Sequence, residues 1–138
     1  MTPTRSYDVF IDGASKGNPG PAGVGVAFFD GQENPIRSFS KYIGHATNNV
    51  AEYLALIYAL QEALQAGYTA VRVRTDSELL ARQVTGQYKV RDAQLRVFHD
   101  LAVHLAKGFA RYSIEHIPRS RNMVADRLAN HAVRDRAI

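Results

Sequence analysis

Tyr7-Asp8-Val9-Phe10-Ile11-Asp12-Gly13 decides how the rest of the chain is read. Tyr7, Val9 and Ile11 alternate with Asp8, Phe10 and Asp12, the period-two pattern of a β-strand, and the run stops on the turn dipeptide Asp12-Gly13. Residues Ala14 to Gly23 are rich in glycine and proline. Val24 to Phe29 is then apolar and β-branched or aromatic, Asp30 to Asn34 is turn chemistry, and Ile36 to Ile43 alternates again. Three strands on short connections predict an antiparallel meander, because a parallel return needs a crossover of a dozen or more residues.

The period changes next. Asn49 to Ala66 places Tyr53, Leu56, Ile57, Leu60 and Leu64 at helical spacing and ends at Gly67, which predicts an amphipathic helix with a glycine stop. That helix is long enough for a crossover, so the short strand predicted over Val71 to Thr75 can lie parallel to the first. Further helices are predicted over Glu78 to Val84, Ala93 to Lys107 and Met123 to Ala137, with a fifth strand over Ala110 to Ile117. The order β-β-β-α-β-α-α-β-α describes an α/β protein built on one mixed sheet covered by helices.

At 138 residues the chain has room for one domain, residues 1–138, against a prior of roughly 150 residues per domain. Its 46% hydrophobic and 22% charged residues exclude disorder, collagen and coiled coil. Met1 to Ser6 holds no apolar signal region, and the apolar stretch Leu54 to Leu60 is too short to span about 30 Å of hydrocarbon. A soluble, cytoplasmic chain with no membrane partner is expected, as a monomer. The absence of cysteine removes disulfides, thiolate metal sites and a cysteine nucleophile, so any metal must be held by oxygen or imidazole.

Seventeen basic against thirteen acidic residues leave a net charge of +4, which favours polyanionic partners where the basic residues cluster. Lys89, Arg91 and Arg96 lie close together. Arg111, Arg119, Arg121, Arg127, Arg134 and Arg136 load the last quarter.

Four carboxylates fall where elements begin or end: Asp12 at the end of the first strand, Glu52 in the first turn of the long helix, Asp76 just after the fourth strand and Asp126 in the first turn of the last helix. Each has an ordinary structural use. Asp12-Gly13 suits a turn, Asn49 with Glu52 fits a capping box, Asp76 could cap the helix starting near Ser77, and Asp126 suits a helix dipole. Jointly they point elsewhere, because an open α/β sheet binds ligands at the carboxyl ends of its strands, where Asp12 and Asp76 would project. Converging carboxylates repel one another unless cations neutralise them, and hard divalent ions prefer oxygen ligands. No dinucleotide fingerprint or phosphate loop is present, and the histidines lack metal-ligand spacing.

These residues resemble the type 1 ribonuclease H family. Tyr7 to Gly23 is similar to its opening strand and loop, Thr47-Asn48-Asn49-Val50-Ala51-Glu52 to its second motif, Thr75-Asp76-Ser77 to its third, and Asn122-Met123-Val124-Ala125-Asp126-Arg127-Leu128-Ala129 to its fourth. The motifs stand in the family's order and spacing across nearly the whole chain. The resemblance implies a ribonuclease H-like mixed five-stranded sheet, the first three strands antiparallel and the last two parallel to the first, with helices on both faces. It also implies endonucleolytic hydrolysis of the RNA strand of an RNA/DNA hybrid to 5′-phosphate and 3′-hydroxyl products.

By that resemblance Asp12, Glu52, Asp76 and Asp126 hold two Mg²⁺ ions, with Mn²⁺ as a substitute, and no side-chain nucleophile is needed. Asn18, Asn48 and Asn49 match positions that contact sugar and base edges, where amides can pair with a 2′-hydroxyl, and Thr47 would support a phosphate of the DNA strand. Gly13, Ser77, Lys89 and Arg91 complete the expected substrate contacts. The chain departs from the family at three places: Glu78 stands where glutamine is frequent, Gly86 to Asp92 is too short for the basic extra helix of some members, and the loop before Asp126 has no histidine. Arg119 is the expected occupant of the histidine's place. The competing functions are a catalytically silent hybrid-binding domain, which would be expected to lose metal ligands, and another nuclease of the same superfold, against which the Asn48-Asn49 pair argues.

Overall fold

The three alternating segments form β1 (Ser6–Ser15), β2 (Gly20–Phe29) and β3 (Pro35–Ala46) in a computed structural model that describes residues 6–136. Then follow α1 (Asn48–Gln65), β4 (Ala70–Thr75), α2 (Glu78–Val84), α3 (Ala93–Ala106), β5 (Arg111–His116), a single 3₁₀ turn over Arg119–Arg121 and α4 (Met123–Asp135). The element order agrees with the prediction. Ala137, placed by the sequence in the last helix, lies outside the described residues.

The sheet order is β3-β2-β1-β4-β5, with β1–β2 and β2–β3 antiparallel and β1–β4 and β4–β5 parallel. The Gly/Pro-rich segment read as a loop is largely strand: Ala14 pairs with Gly23 and Ser15 with Ala22, leaving only a short turn closed by Lys16 N–H donating to the Pro21 carbonyl at 2.9 Å. The reason lies in β2, where glycines and valines alternate. Val24 and Val26 are fully buried in the core against α1, beside Val9, Ile11, Leu56 and Leu60. Gly23 and Gly25 turn to the other face, where α4 crosses β2 so closely that a Cβ on Gly25 would stand 2.3 Å from the Ala125 carbonyl oxygen. A strand without side chains on one face pairs normally but reads as a loop, since glycine weakens strand propensity.

Helices therefore cover both faces. α1 packs on β1 and β2 with α3 against it, and α4 lies across β2, β1 and β3. Burying each large apolar side chain of this core contributes roughly 1.5–3 kcal/mol, before the opposing entropy of ordering it. One polar bond crosses the interior between helices, the Tyr53 hydroxyl of α1 donating to Gln83 Oε1 of α2 at 2.6 Å. The parallel pair β1–β4 then ends with Ile11 beside Thr75, which brings Asp12 and Asp76 out together at one edge.

Candidate active site

Asp12, Glu52 and Asp76 each present a carboxylate oxygen, and these oxygens all lie within 4.8 Å of one another. Three different elements deliver them. Asp12 projects from within β1, one residue past its last pairing with β4, Asp76 from the residue after β4, and Glu52 from the first turns of α1; the Asp12-Gly13 turn expected from the sequence is strand, Asp12 pairing with Gly25 and Gly13 with Val24. The capping-box reading of Glu52 does not hold: Thr47 caps α1, its hydroxyl accepting from Val50 N–H at 3.2 Å, and Glu52 instead accepts the Gly13 N–H at 2.5 Å. Likewise Ser77, not Asp76, caps α2 by accepting from Leu80 N–H at 3.2 Å. Both acids are thereby released from local duties and face the cleft.

Gly13 makes the approach of β1 to α1 feasible. A Cβ there would fall 2.3 Å from the Ala51 carbonyl carbon and 2.5 Å from Glu52 N, so any side chain would push apart the two elements that carry Asp12 and Glu52. Asp126, in the first turn of α4, forms the fourth wall of the same cleft, which has a volume of about 360 Å³. Its neighbours there are Lys16, Asn48, Arg119 and Asn130.

Burial is the main cause that raises the Asp12 carboxyl, to about 10, reinforced by the negative charges of Glu52 and Asp76 and by Asp126. Burial also raises Glu52, to about 8, against the lowering effect of the Gly13 N–H. Like charges brought together in a partly desolvated site disfavour full ionisation, and a hard cation supplies the missing counter-charge. The donor set is all oxygen, so it fits Mg²⁺ or Mn²⁺ and offers nothing to a soft metal.

The expected substrate residues distribute unevenly. Asn18 and Asn48 are linked, Asn18 Oδ1 accepting Asn48 N–H at 3.0 Å while Asn48 Oδ1 accepts Ser15 N–H at 3.0 Å, which locks the turn to the start of α1. Both residues are exposed, as is Asn49 beside Asn48. Arg119 reaches the cleft with its guanidinium 3.5 Å from Asp126 Oδ1 and its side chain 75% exposed. Glu78 is turned aside by Arg82, 3.4 Å away on the next turn of α2. Lys89 and Arg91 are exposed in the α2–α3 loop rather than among the cleft residues, and the Lys89 carbonyl is tied to Gln83 Nε2 at 3.3 Å.

Four residues that contribute here carried no site role in the sequence reading. Asn130 holds Asp126 from one turn on, donating to its carbonyl at 2.9 Å and its carboxylate at 3.3 Å; the i, i+4 spacing on α4 was the available signal. Asn122 is fully buried and anchors the start of α4 to β1. Ser15 and Lys16 line the cleft mouth in what was read as a loop.

A family model described as reverse transcriptase-like matches residues 10–132. Ribonuclease HI of Halobacterium salinarum is 44% identical over 126 residues, covering 91% of this chain and 63% of that protein. A bifunctional protein of Mycobacterium tuberculosis is 45% identical over 88% of this chain but only 34% of its own length, so the chain spans less than two thirds of these relatives. Among solved structures, the H. salinarum RNase H1 superposes with a TM-score of 0.92 at 43% identity, covering 94% of this chain and 98% of that one. LC11-RNase H1, crystallised in complex with an RNA/DNA hybrid, gives 0.89 at 40% identity over 94% and 98% of the two chains. From the family match over residues 10–132, the ribonuclease HI relative and the RNase H1 structures that share its sheet, the chain belongs to the type 1 ribonuclease H family.

Proposed function

We propose that the chain is an endonuclease that hydrolyses the RNA strand of RNA/DNA hybrids, with divalent metal, to 5′-phosphate and 3′-hydroxyl products. The observation that carries this reading is the Asp12–Glu52–Asp76 triad, three oxygens within 4.8 Å at the carboxyl end of the central strands. Asp12, Glu52, Asp76 and Asp126 would hold two Mg²⁺ ions, which supply a water of lowered pKa and neutralise the charge of an in-line displacement. Glu52 is kept in place by the Gly13 N–H, and Asp126 by Asn130. Hydrolysis then needs no nucleophilic side chain.

Recognition falls to the rim. The exposed amides of Asn18, Asn48 and Asn49 can donate to and accept from a 2′-hydroxyl, the group that tells RNA from DNA. Thr47 accepts from Val50 with a lone pair, so its hydroxyl proton remains to be donated to a phosphate of the DNA strand, and Ser77 stands next to Asp76 with the same capacity. Lys89 and Arg91 would grip phosphate at a distance from the acids, without selecting sequence. Arg119, a permanent cation at the cleft, takes the place of a histidine and acts on charge alone.

The support extends to a relative whose structure holds an RNA/DNA hybrid at 40% identity. Among the described residues no helix is long and apolar enough to cross a membrane. A substrate panel tests the reading: the protein is offered a hybrid, duplex DNA, single-stranded RNA and duplex RNA, each with and without Mg²⁺. Cleavage of the hybrid's RNA strand only when metal is added is expected. Tight binding without cleavage would make the chain a silent hybrid-binding domain, and cleavage of duplex DNA would make it another nuclease of the superfold.

A further inference from the structure

Along α4 a shallow groove of about 550 Å³ runs from Asp126 past Arg127 and His131 to Arg134. It shares Asp126 and Asn130 with the carboxylate cleft, so the two adjoin along α4. Arg127, His131 and Arg134 stand at i, i+4 and i+7, on a single exposed face of the helix. Helix packing does not require them, since α4 meets the sheet through Ala125, Ala129 and Ala132.

The charges on this face are incompletely balanced. Among the described residues Arg127 has no carboxylate partner; its Nε lies 3.5 Å from the Met123 carbonyl of its own helix. Among the described residues Asp135 is the one acid besides Asp126 within ion-pair reach of the α4 groove, 3.1 Å from His131 and 3.9 Å from Arg134. A role in the helix dipole accounts for Arg134, in the last turn, where a cation is favourable. It does not account for Arg127, near the N-terminal end, where a cation opposes the dipole. From Asp126 to Arg134 is eight residues, about 12 Å at roughly 1.5 Å per residue. That covers about three phosphate steps of one strand along a duplex axis.

We propose that this face of α4 is a phosphate track, on which Arg127 and Arg134 hold the backbone of the bound nucleic acid beyond the carboxylate cleft. The proposal rests on the hybrid-hydrolase reading for the identity of the strand, and on charge complementarity and adjacency to the cleft for its place. It adds a binding surface on α4, separate from the turn that carries Asn18 and the start of α1 that carries Asn48. Contacts of this kind position the substrate without reading its sequence.

The test compares wild type with Arg127→Gln/Arg134→Gln and Arg127→Lys/Arg134→Lys by fluorescence anisotropy, without added metal. The ligands are a long hybrid and one trimmed to end at the cleft, titrated over a series of salt concentrations. For the long hybrid the glutamine pair should weaken binding about tenfold at low salt, and flatten the dependence of log affinity on log salt by about two units, one per phosphate contact. The lysine pair should restore most of both, and the trimmed hybrid should bind all three proteins alike. Both positions are exposed, so thermal melts should coincide. Unchanged affinity and salt dependence in the glutamine pair overturn the track, as does equal weakening on the trimmed hybrid. Cleavage by wild type in Mg²⁺ is scored separately: binding that depends on the arginines without any cleavage overturns the hydrolase reading and keeps the track.

Discussion

Asn122 Nδ2 donates to the Ile11 carbonyl at 2.8 Å across 111 residues of chain, in full burial. Ile11 is the residue before Asp12, and Asn122 is the residue before α4, so this one bond joins the strand carrying the first acid to the helix carrying the fourth. Asn122 stands at the N-cap position of α4 without a side-chain hydrogen bond to the helix, its Nδ2 being directed to the sheet.

Asn122→Ala should therefore lose stability and activity together. A buried carbonyl left without its donor costs about 1–3 kcal/mol, to be read as a lower urea midpoint at unchanged slope. Asn122→Asp should be worse, since a carboxylate oxygen would then face the Ile11 oxygen. A midpoint within a few tenths of wild type for the alanine variant would show that the bond carries no weight.

Gly25→Ala tests the spacing of the same helix. Its Cβ would meet the Ala125 carbonyl oxygen at 2.3 Å and Ala129 N at 2.6 Å, both backbone atoms that cannot turn aside. Displacing α4 should cost about 1–3 kcal/mol or more, and turnover should fall further than stability explains because Asp126 moves with the helix. Gly67→Ala is the control, with no atoms near its Cβ and only its positive φ of 80° to strain it. It should leave turnover intact.

The elements legible in the sequence were those whose signal is local. The alternation of Tyr7 to Asp12 and the helical spacing from Tyr53 to Leu64 carry their own period, and the four acids were visible because each stands where a local pattern starts or stops, although β1 itself runs on past Asp12 to Ser15. Gly23 was not legible as strand, because its meaning is the approach of a helix a hundred residues further on. Thr47 was passed over as the α1 cap for a related reason: Glu52 completes a capping box on paper, but the Gly13 N–H, brought by tertiary folding, draws it away. Asn122 acts through a partner, Ile11, that no spacing in the sequence announces.

The raised carboxyls make stability depend on pH with a definite sign. A group whose folded pKa lies above its unfolded value favours folding while it is protonated, and that contribution is lost as pH rises through the folded value. For Glu52 the window runs from about 4.5 to about 8, and for Asp12 from 3.8 to about 10. Metal-free protein should accordingly melt at progressively lower temperature from the usual carboxylate range up through neutral and mildly alkaline pH. Asp12→Asn removes one charge and should flatten the profile and raise the melting point above pH 7. It should also abolish hybrid cleavage in Mg²⁺. Added Mg²⁺ should stabilise wild type most at the alkaline end and the variant far less, since a ligand that binds only the folded state stabilises in proportion to its occupancy. A metal-free melting point that climbs with pH over the same range would show that the acids do not repel one another as their geometry requires.

Arg119 offers a sharper test of the chemistry, because a guanidinium cannot exchange its proton in the accessible pH range. It stands at the cleft, 3.5 Å from Asp126, on a short 3₁₀ turn that leaves the side chain mostly in solvent. That exposure makes its ion pair with Asp126 worth little for stability, so Arg119→Ala should melt within about 0.5 kcal/mol of wild type. Turnover is another matter, since a fixed cation near the scissile phosphate can stabilise developing negative charge or loosen product, an effect of up to about 10²-fold for one electrostatic donor. Arg119→Ala should lower kcat more than it raises KM. Arg119→Lys should recover part of the loss, because it restores the charge but not the bidentate geometry. The pH–rate profile should keep its shape in both variants. An effect confined to KM would move Arg119 to the binding surface, while a shifted profile would give the proton chemistry to a titrating neighbour, of which His116, exposed at the end of β5, is the nearest in sequence.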